Sequence, residues 1–293
     1  MGTGALPQLI AGVASAHSSS VLAHHGEVAD FLWPIVLATL LAASAGFYAA
    51  GVTKLWRKAG VGRGIRRVEV AHFTVGWLVL AATLTPSVDA LAERSFAVHM
   101  VQHELLMVAA APLFVLARPL QAFAWALPAG ARSALAFVPR GAWRALTAPV
   151  CAWSVHALAL WLWHIPALFR AALADPSLHV LQHTCFFVSA FAFWWAVFGR
   201  RAPDATGLAC VFTTMLHASA LAVLLTFAPA PWYLHDTTIL FGLTALEDQQ
   251  LGGLVMWVPG AFAYVVAGLA IVAGWLRQTH AQRHVKPTST LRR

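Results

Sequence analysis

Long apolar runs alternate with short polar segments along the whole of this chain. A helix needs about 20 mostly apolar residues to cross a hydrocarbon core of roughly 30 Å, and seven runs reach that length. They cover, approximately, residues 31–51, 70–91, 96–117, 149–170, 179–199, 207–228 and 251–276. Inside a bilayer, backbone polar groups must be paired within the segment itself, so each run is predicted to be an α-helix. The pattern predicts an all-α integral membrane protein with seven transmembrane helices.

The composition excludes a water-soluble globular domain. Of the 293 residues, 60% are hydrophobic and 10% are charged, and the mean hydropathy is +0.71. Soluble domains carry about 25% charged residues, which they need to cover their surface. The bilayer is therefore the predicted solvent for most of this chain.

The positions of the cationic residues predict the orientation. The formal net charge is +8, and 17 of the 19 Lys and Arg residues lie in segments 52–68, 118–148, 200–206 and 277–293. Only Arg94 and Arg170 fall on the other side. Cytoplasmic loops carry the excess of Lys and Arg, so the N-terminus is predicted to be outside and the C-terminus cytoplasmic. The outer side carries acidic residues instead, namely Glu27, Asp30, Asp89, Glu93, Asp175, Asp236, Glu247 and Asp248.

This charge distribution also explains the net positive charge of the chain. Cations gathered at one membrane face indicate topology and contact with anionic lipid headgroups at the inner face, and they do not indicate nucleic-acid binding. The predicted organisation is an outer N-terminal tail (1–30), a seven-helix membrane domain (31–276) and a basic cytoplasmic tail (277–293). Cys151, Cys185 and Cys210 are too isolated in the sequence to suggest a disulfide framework or a thiolate metal site.

The histidines are the most informative polar residues, because ionisable groups inside a membrane are costly. The motif HxxQH occurs twice, at His99–His103 and at His179–His183, and both copies begin a span that starts outside. Residues four apart share one helix face, so each copy presents two imidazoles in one direction. His164 lies at a comparable depth in the fourth span. We therefore predict that these five histidines meet near the outer surface.

Four further residues are weaker ligand candidates because they are near the same spans: Asp248, Met100, Met107 and His156. Imidazole binds copper, zinc, iron and nickel, and thioether sulfur favours Cu(I). Gln102 and Gln182 are candidates to orient the ring nitrogens of the ligands. The alternative is that buried His and Gln side chains only hydrogen-bond between helices.

Two other functions remain open from the residues alone. A haem-binding electron carrier would use one axial His from each of two spans, with His103 and His183 as partners. An intramembrane metal-dependent hydrolase would need a base beside its metal ligands, for which Glu104 and Asp248 are candidates.

Three stretches carry a family resemblance: residues 99–119 (HMVQHELLMVAAAPLFVLARP), residues 161–195, which contain WLWHIPALF and HVLQHTCFF, and residues 216–264, which contain LEDQQLGGLVMWVPG. In these stretches the sequence resembles the seven-helix caa3-type cytochrome c oxidase assembly factor family (CtaG). The resemblance implies a multi-pass protein of the bacterial plasma (inner) membrane that is needed for maturation of a haem-copper oxidase. The motif residues it carries over are His99, His103, His164, His179, His183, Glu247, Asp248 and Gln249.

The resemblance also implies a role and partners. We expect a non-enzymatic assembly factor that binds copper at the outer face and hands it over through the paired histidines. The expected partners are a haem-copper oxidase subunit in the same membrane and a soluble copper donor on the outer side.

Overall fold

The computed structural model describes residues 34–134, 140–199, 205–233 and 242–285. These residues are almost entirely helical, and none of them is in a β-strand. The predicted outer tail (1–30), the outer acidic residue Asp236 and the end of the predicted cytoplasmic tail lie outside the described residues.

Twelve helices follow one another in the described parts of the chain. They are α1 (Pro34–Ala59), α2 (Arg67–Thr83), α3 (Pro86–Ala92), α4 (Phe96–Ala117), α5 (Pro119–Ala126), α6 (Ala129–Ala134), α7 (Arg140–Leu146), α8 (Pro149–Trp163), α9 (Pro166–Ala174), α10 (Pro176–Phe198), α11 (Ala205–Thr226) and α12 (Ala245–Val285). By compactness the chain divides into two units, Met1–Gly46 and Phe47–Arg293. All of the residues discussed below belong to the second unit.

The predicted class of an all-helical membrane protein is confirmed. Five of the described helices, α1, α4, α10, α11 and α12, are long and apolar enough to cross a membrane. Two further pairs pass the same test together but are bent, α2 with α3 by 56° and α8 with α9 by 76°. The described residues thus hold five candidate spans, or up to seven if each bent pair is one span. The count of seven and the orientation remain predictions.

The two bent pairs correct the prediction that residues 70–91 and 149–170 form continuous helices. Each break lies directly before a proline, Pro86 in the first pair and Pro166 in the second. Proline forces the residue before it out of the helical region, and Thr85 and Ile165 are both extended, with ψ of 144° and 126°. Proline then starts the next helix, where its missing N–H is not needed.

Helix α4 is the helix around which the site is built. It packs against α2, α3, α10 and α12. Residues Leu105–Ala110 within it form a π-helical segment, directly after the first HxxQH motif. The widened turn is fixed from outside, because Trp194 Nε1 of α10 donates a hydrogen bond of 2.8 Å to the Met107 carbonyl. Such segments often occur beside functional sites.

Cations from α1 and from the segment itself contact the segment between α4 and α8. Lys54 Nζ of α1 donates to the Ala126 carbonyl at the end of α5. The guanidinium of Arg132 lies 4.2 Å from the ring centroid of Trp125. Both contacts lie in segments that the charge pattern predicts to be cytoplasmic.

Candidate metal centre

The five predicted histidines come together in the structure. His99 and His103 of α4 lie with ring centroids 4.3 Å apart, and His179 and His183 of α10 with centroids 4.2 Å apart. The two pairs face each other, because 5.3 Å separates the His99 and His179 rings and 5.3 Å also separates the His103 and His183 rings. His164, at the end of α8, has its ring 6.2 Å from that of His103. Three separate helices therefore supply imidazoles to one place.

The centre is enclosed by aromatic side chains. The Phe186 ring lies 4.5 Å from the His103 ring and 5.9 Å from the His164 ring. Phe169 lies 5.0 Å from His99 and packs in turn against Tyr233. These aromatic side chains exclude water from the imidazoles, and the neutral imidazole is the form that binds metals.

Two groups of three residues have the spacing of metal ligands. In the first, His99, His103 and His183 each offer a ring nitrogen, and all three atoms lie within 4.8 Å of one another. In the second, Asp89, His179 and His183 offer an oxygen and two nitrogens within the same limit. Two ligand nitrogens at about 2.0–2.1 Å from one metal ion are at most about 4.2 Å apart, so side-chain shifts of about 1 Å suffice for binding.

The nitrogens that would bind an ion have few competing partners. Among the described residues, Nε2 of His179 and Nε2 of His183 have no hydrogen-bond partner. The Nε2 atoms of His99 and His103 lie 2.9 Å apart, so one of the two rings donates and the other accepts. Buried polar atoms are normally hydrogen-bonded, and unpaired lone pairs in a cluster are consistent with a ligand site.

His164 is held in a defined tautomer by the helix break. It follows the last residue of α8, and its Nδ1 lies 2.6 Å from the Leu160 carbonyl. A carbonyl only accepts hydrogen bonds, so Nδ1 carries the proton, and in the neutral ring the lone pair is on Nε2. That atom has no partner among the described residues. Histidines that bind a metal through one ring nitrogen typically donate the N–H of the other ring nitrogen to a carbonyl or carboxylate.

The carbonyl of His164 is fixed from the segment that precedes α12. The Tyr233 hydroxyl donates a hydrogen bond of 2.6 Å to the His164 carbonyl, and burial raises the pKa of Tyr233. The backbone N–H groups of Trp232 and Tyr233 both donate to Gln249 Oε1, at 2.6 and 3.4 Å. Gln249 therefore positions the segment that holds the His164 backbone, and its Nε2 donates to the Leu225 carbonyl.

Asp248 has a structural role at the start of α4. Its carboxylate accepts hydrogen bonds from the Ser95 hydroxyl, the Phe96 N–H and the Ala97 N–H, at 2.6, 2.6 and 3.3 Å. A carboxylate at a helix N-terminus satisfies free N–H groups and interacts favourably with the helix dipole. The structure thus places this weaker ligand candidate where it fixes the first turn of the helix that carries His99. Neighbouring Glu247 accepts from Thr244 at the start of α12.

The two glutamines of the HxxQH motifs differ in their contacts. Gln102 Nε2 donates to the Thr83 carbonyl at 2.9 Å and also to Asp89 Oδ1. Gln182 is fully buried, and neither polar atom of its side chain has a hydrogen-bond partner among the described residues. Neither glutamine hydrogen-bonds to a ring nitrogen there, so their predicted role in orienting the imidazoles is not what these contacts provide.

The remaining weaker candidates lie in other surroundings. His156 Nδ1 is 3.1 Å from the Ser189 hydroxyl, and its ring stacks on Phe193. Met100 packs in an apolar cluster with Phe96, and Met107 packs in a second cluster with Phe186. None of these residues belongs to the two ligand groups found among the described residues.

Sequence reasoning missed Asp89 as a ligand candidate. The sequence places it only among several outer acidic residues, because nothing in the local sequence connects it to the histidines. The available signal was its position in the turn after a proline break, near the predicted outer end of a span. Its proximity to His179 depends on packing between elements far apart in sequence.

Geometry does not favour the haem alternative. A haem iron with His103 as an axial ligand needs open space beyond Nε2 for the macrocycle. That atom lies 2.9 Å from Nε2 of His99, and the ring is flanked by Phe186.

Glu104, the base suggested for a hydrolase, is directed toward α12, since a Cβ on Gly260 would be 3.0 Å from its Oε2.

The chain is similar to mycobacterial proteins of greater length. It is 25% identical over 249 residues to an uncharacterized protein of Mycobacterium leprae, and 26% identical over 251 residues to one of Mycobacterium bovis. The alignments cover 80% and 79% of this chain and 37% of each relative, so the chain spans well under half of their length. No solved structure matches it.

A family model gives the assignment. The model for the cytochrome c oxidase caa3 assembly factor matches residues 46–278, which include every helix that contributes to the histidine centre. The match covers most of the 293 residues and agrees with the resemblance at the HxxQH motifs. This chain, with its imidazoles gathered from three helices, therefore belongs to the cytochrome c oxidase caa3 assembly factor family (Caa3_CtaG).

Proposed function

We propose that this protein binds one copper ion at the histidine centre and passes it to a haem-copper oxidase subunit in the same membrane. The observation that carries the proposal is the convergence of His99, His103 and His183, whose ligand nitrogens lie within 4.8 Å of one another. His164 and His179 complete the centre. Neutral imidazoles hold a copper ion without adding buried negative charge.

The choice of copper rests on the family. Imidazole alone suits zinc, iron and nickel as well. The family is described by the assembly of a cytochrome c oxidase. The client implied by the family resemblance is a haem-copper oxidase, which needs copper for its maturation. The role is therefore that of a carrier, with copper as cargo, and the predicted location is the outer side of a bacterial inner membrane.

The direct test is metal binding by the purified protein in detergent. The protein would be loaded with Cu(I), and copper and zinc would be counted per chain by mass spectrometry. We expect about one copper per chain in the wild type and loss of binding in the double variant His103→Ala plus His183→Ala, because two of three ligands are removed. A matched control is His72→Ala, which removes an imidazole from α2 outside the centre. Wild-type protein that binds no copper, or a double variant that binds as much, would contradict the proposal.

A test in cells addresses the client. The double variant and the His72→Ala control would be expressed in a host that lacks its own copy of the gene, and the oxidase would be purified. We expect oxidase with a reduced copper content in cells that carry the double variant only. Equal copper content in the two oxidase preparations would show that the centre is not used for delivery.

A further inference from the structure

The two groups of candidate ligands share one residue, His183. The first group is His99, His103 and His183, and the second is Asp89, His179 and His183. Two complete three-ligand sets with a common member are two neighbouring positions for one ion. The second set cannot be read from the HxxQH motifs alone, because Asp89 belongs to neither motif.

The two positions differ in exposure. His99, His103 and His183 are 0%, 1% and 7% exposed, so the first position is buried. Asp89 and His179 are only partly buried. Both lie near the predicted outer ends of their segments, so an ion that arrives from the outer aqueous side would meet Asp89 and His179 before His99 and His103.

The two positions also differ in chemistry. The carboxylate of Asp89 attracts a cation through its charge, which raises the rate of capture. Carboxylate oxygen is a poor permanent ligand for Cu(I), whereas three imidazoles suit copper in either oxidation state. The exposed set thus has the properties of a capture position, and the buried set has those of a holding position.

Gln102 fixes the carboxylate in place. Its Nε2 donates to Asp89 Oδ1 and to the Thr83 carbonyl, which is at the end of α2 before the proline break. Gln102 is adjacent to His103 in α4. One helix therefore carries both the hydrogen-bond donor to Asp89 and two ligands of the buried set, His99 and His103. The distance between the two positions is therefore set by a rigid element.

We propose that copper enters this protein through a capture position formed by Asp89, His179 and His183, and then moves to the buried position formed by His99, His103 and His183. His183 stays bound during the move. The bonds to the Asp89 oxygen and the His179 nitrogen break as the bonds to the His99 and His103 nitrogens form. The hydrogen bond between the Nε2 atoms of His99 and His103 also breaks, and the ring that donated it takes the tautomer with its proton on Nδ1. The step is a ligand exchange, so the oxidation state of copper does not change. This inference rests on the proposed copper-binding function.

The test separates the rate of loading from the affinity at equilibrium. Purified protein in detergent would be mixed with Cu(I) held by a coloured chelator, and transfer would be followed by stopped-flow absorbance. Competition with the same chelator would give the equilibrium affinity. For Asp89→Asn we expect loading to slow by about tenfold, with the affinity changed by less than about threefold, because the removed charge acts on capture. Asparagine keeps an Oδ1 acceptor for Gln102, so the fold is retained.

The matched control is Asp175→Asn. Asp175 is also an acidic residue on the predicted outer side, but it caps α10 by accepting from the N–H groups of Ser177 and Leu178. Asparagine caps a helix as well as aspartate does, so both the rate and the affinity should stay within about twofold of the wild type. Asp89→Glu, which keeps the charge, should recover most of the loading rate.

His99→Ala examines the other position. We expect fast uptake at the capture position followed by weak retention, so the affinity falls by at least about tenfold while the first phase of transfer persists. If Asp89→Asn loads as fast as the wild type, or if its rate and affinity fall in equal proportion, the two-position inference is wrong although copper binding stands. If the wild type takes up no copper at all, the proposed function fails with it. Should Asp89→Asn not fold, Asp89→Ser is a second variant without the charge, and the same outcomes are expected for it.

Discussion

At the scale of single residues, the polar side chains in the centre divide into those that offer lone pairs and those that hold other groups in place. His183 and His164 present free Nε2 atoms among the described residues. Asp248 and Gln249 use their oxygens on backbone N–H groups. A carboxylate whose two oxygens both accept hydrogen bonds has little capacity left for a metal, so we expect Asp248 to act through positioning.

The two motif glutamines give a matched pair for a stability measurement. Gln102→Leu removes the donor to Asp89 and to the Thr83 carbonyl, which leaves two acceptors without their partner. We expect the free energy of unfolding to fall by about 1–3 kcal/mol. Gln182→Leu removes a buried side chain without described partners, and we expect a change within about 0.5 kcal/mol or a gain. Denaturation of the two variants in the same detergent measures the difference, and equal losses would contradict this account.

A substitution of Asp248 distinguishes a role in positioning α4 from a role as a metal ligand. Asp248→Asn leaves one oxygen to accept from the α4 N-terminus, so we expect a loss of about 1 kcal/mol in stability. Copper per chain at saturation should remain as in the wild type, because no ligand is removed. Glu247→Gln, at an exposed neighbouring position, is the control and should change neither quantity. A stable Asp248→Asn variant that no longer binds copper would make Asp248 a ligand.

At the scale of helices, the breaks and the close contacts define where the ligands lie. The break between α8 and α9 places His164 at a helix end, where its Nδ1 bonds to the Leu160 carbonyl. The break between α2 and α3 allows Asp89 to approach α10. The opposite side of the site is set by α12, which packs closely on α11 and on α4. Small residues in membrane helices permit such close approach.

Two glycines of α12 test this packing. A Cβ on Gly253 would be 2.7 Å from the Thr226 nitrogen and 2.8 Å from the Ala222 carbonyl oxygen, both backbone atoms of α11. We expect Gly253→Ala to reduce the stability by about 1–3 kcal/mol through overpacking. Gly274, on the same helix, has nothing within 4 Å of its Cβ position in the described part of the chain, so Gly274→Ala should be neutral or stabilise by up to about 1 kcal/mol. Thermal unfolding of both variants checks the difference, and a stable Gly253→Ala variant would show that α11 and α12 can separate.

At the scale of the whole molecule, the orientation decides from which side copper arrives. The charge pattern predicts that Ser177 is near the outer face and Ala205 near the cytoplasmic face. Single cysteines at these positions, in a background with Cys151, Cys185 and Cys210 replaced by alanine, report the orientation. In intact cells, a membrane-impermeant thiol reagent should label Ser177→Cys and not Ala205→Cys, and lysed cells should show labelling of both. The reverse pattern would place the histidine centre on the cytoplasmic side.

The sequence by itself determined the helical class, the five long apolar helices and the five histidines that meet in the structure. These follow from local rules, since a bilayer requires internal hydrogen bonding over about 20 residues and residues four apart share a helix face. The breaks at Pro86 and Pro166 were also readable from the sequence in principle, because proline restricts the residue before it.

Only the tertiary structure decided how the polar residues divide their roles. Asp89 meets His179 and His183 across about 90 residues of chain, and Tyr233 meets His164 across 69. The distance between such residues depends on how helices pack and where they bend, and hydropathy does not encode that distance. The same physical reason explains Gln102 and Gln182, which occupy equivalent positions in identical motifs but have different neighbours.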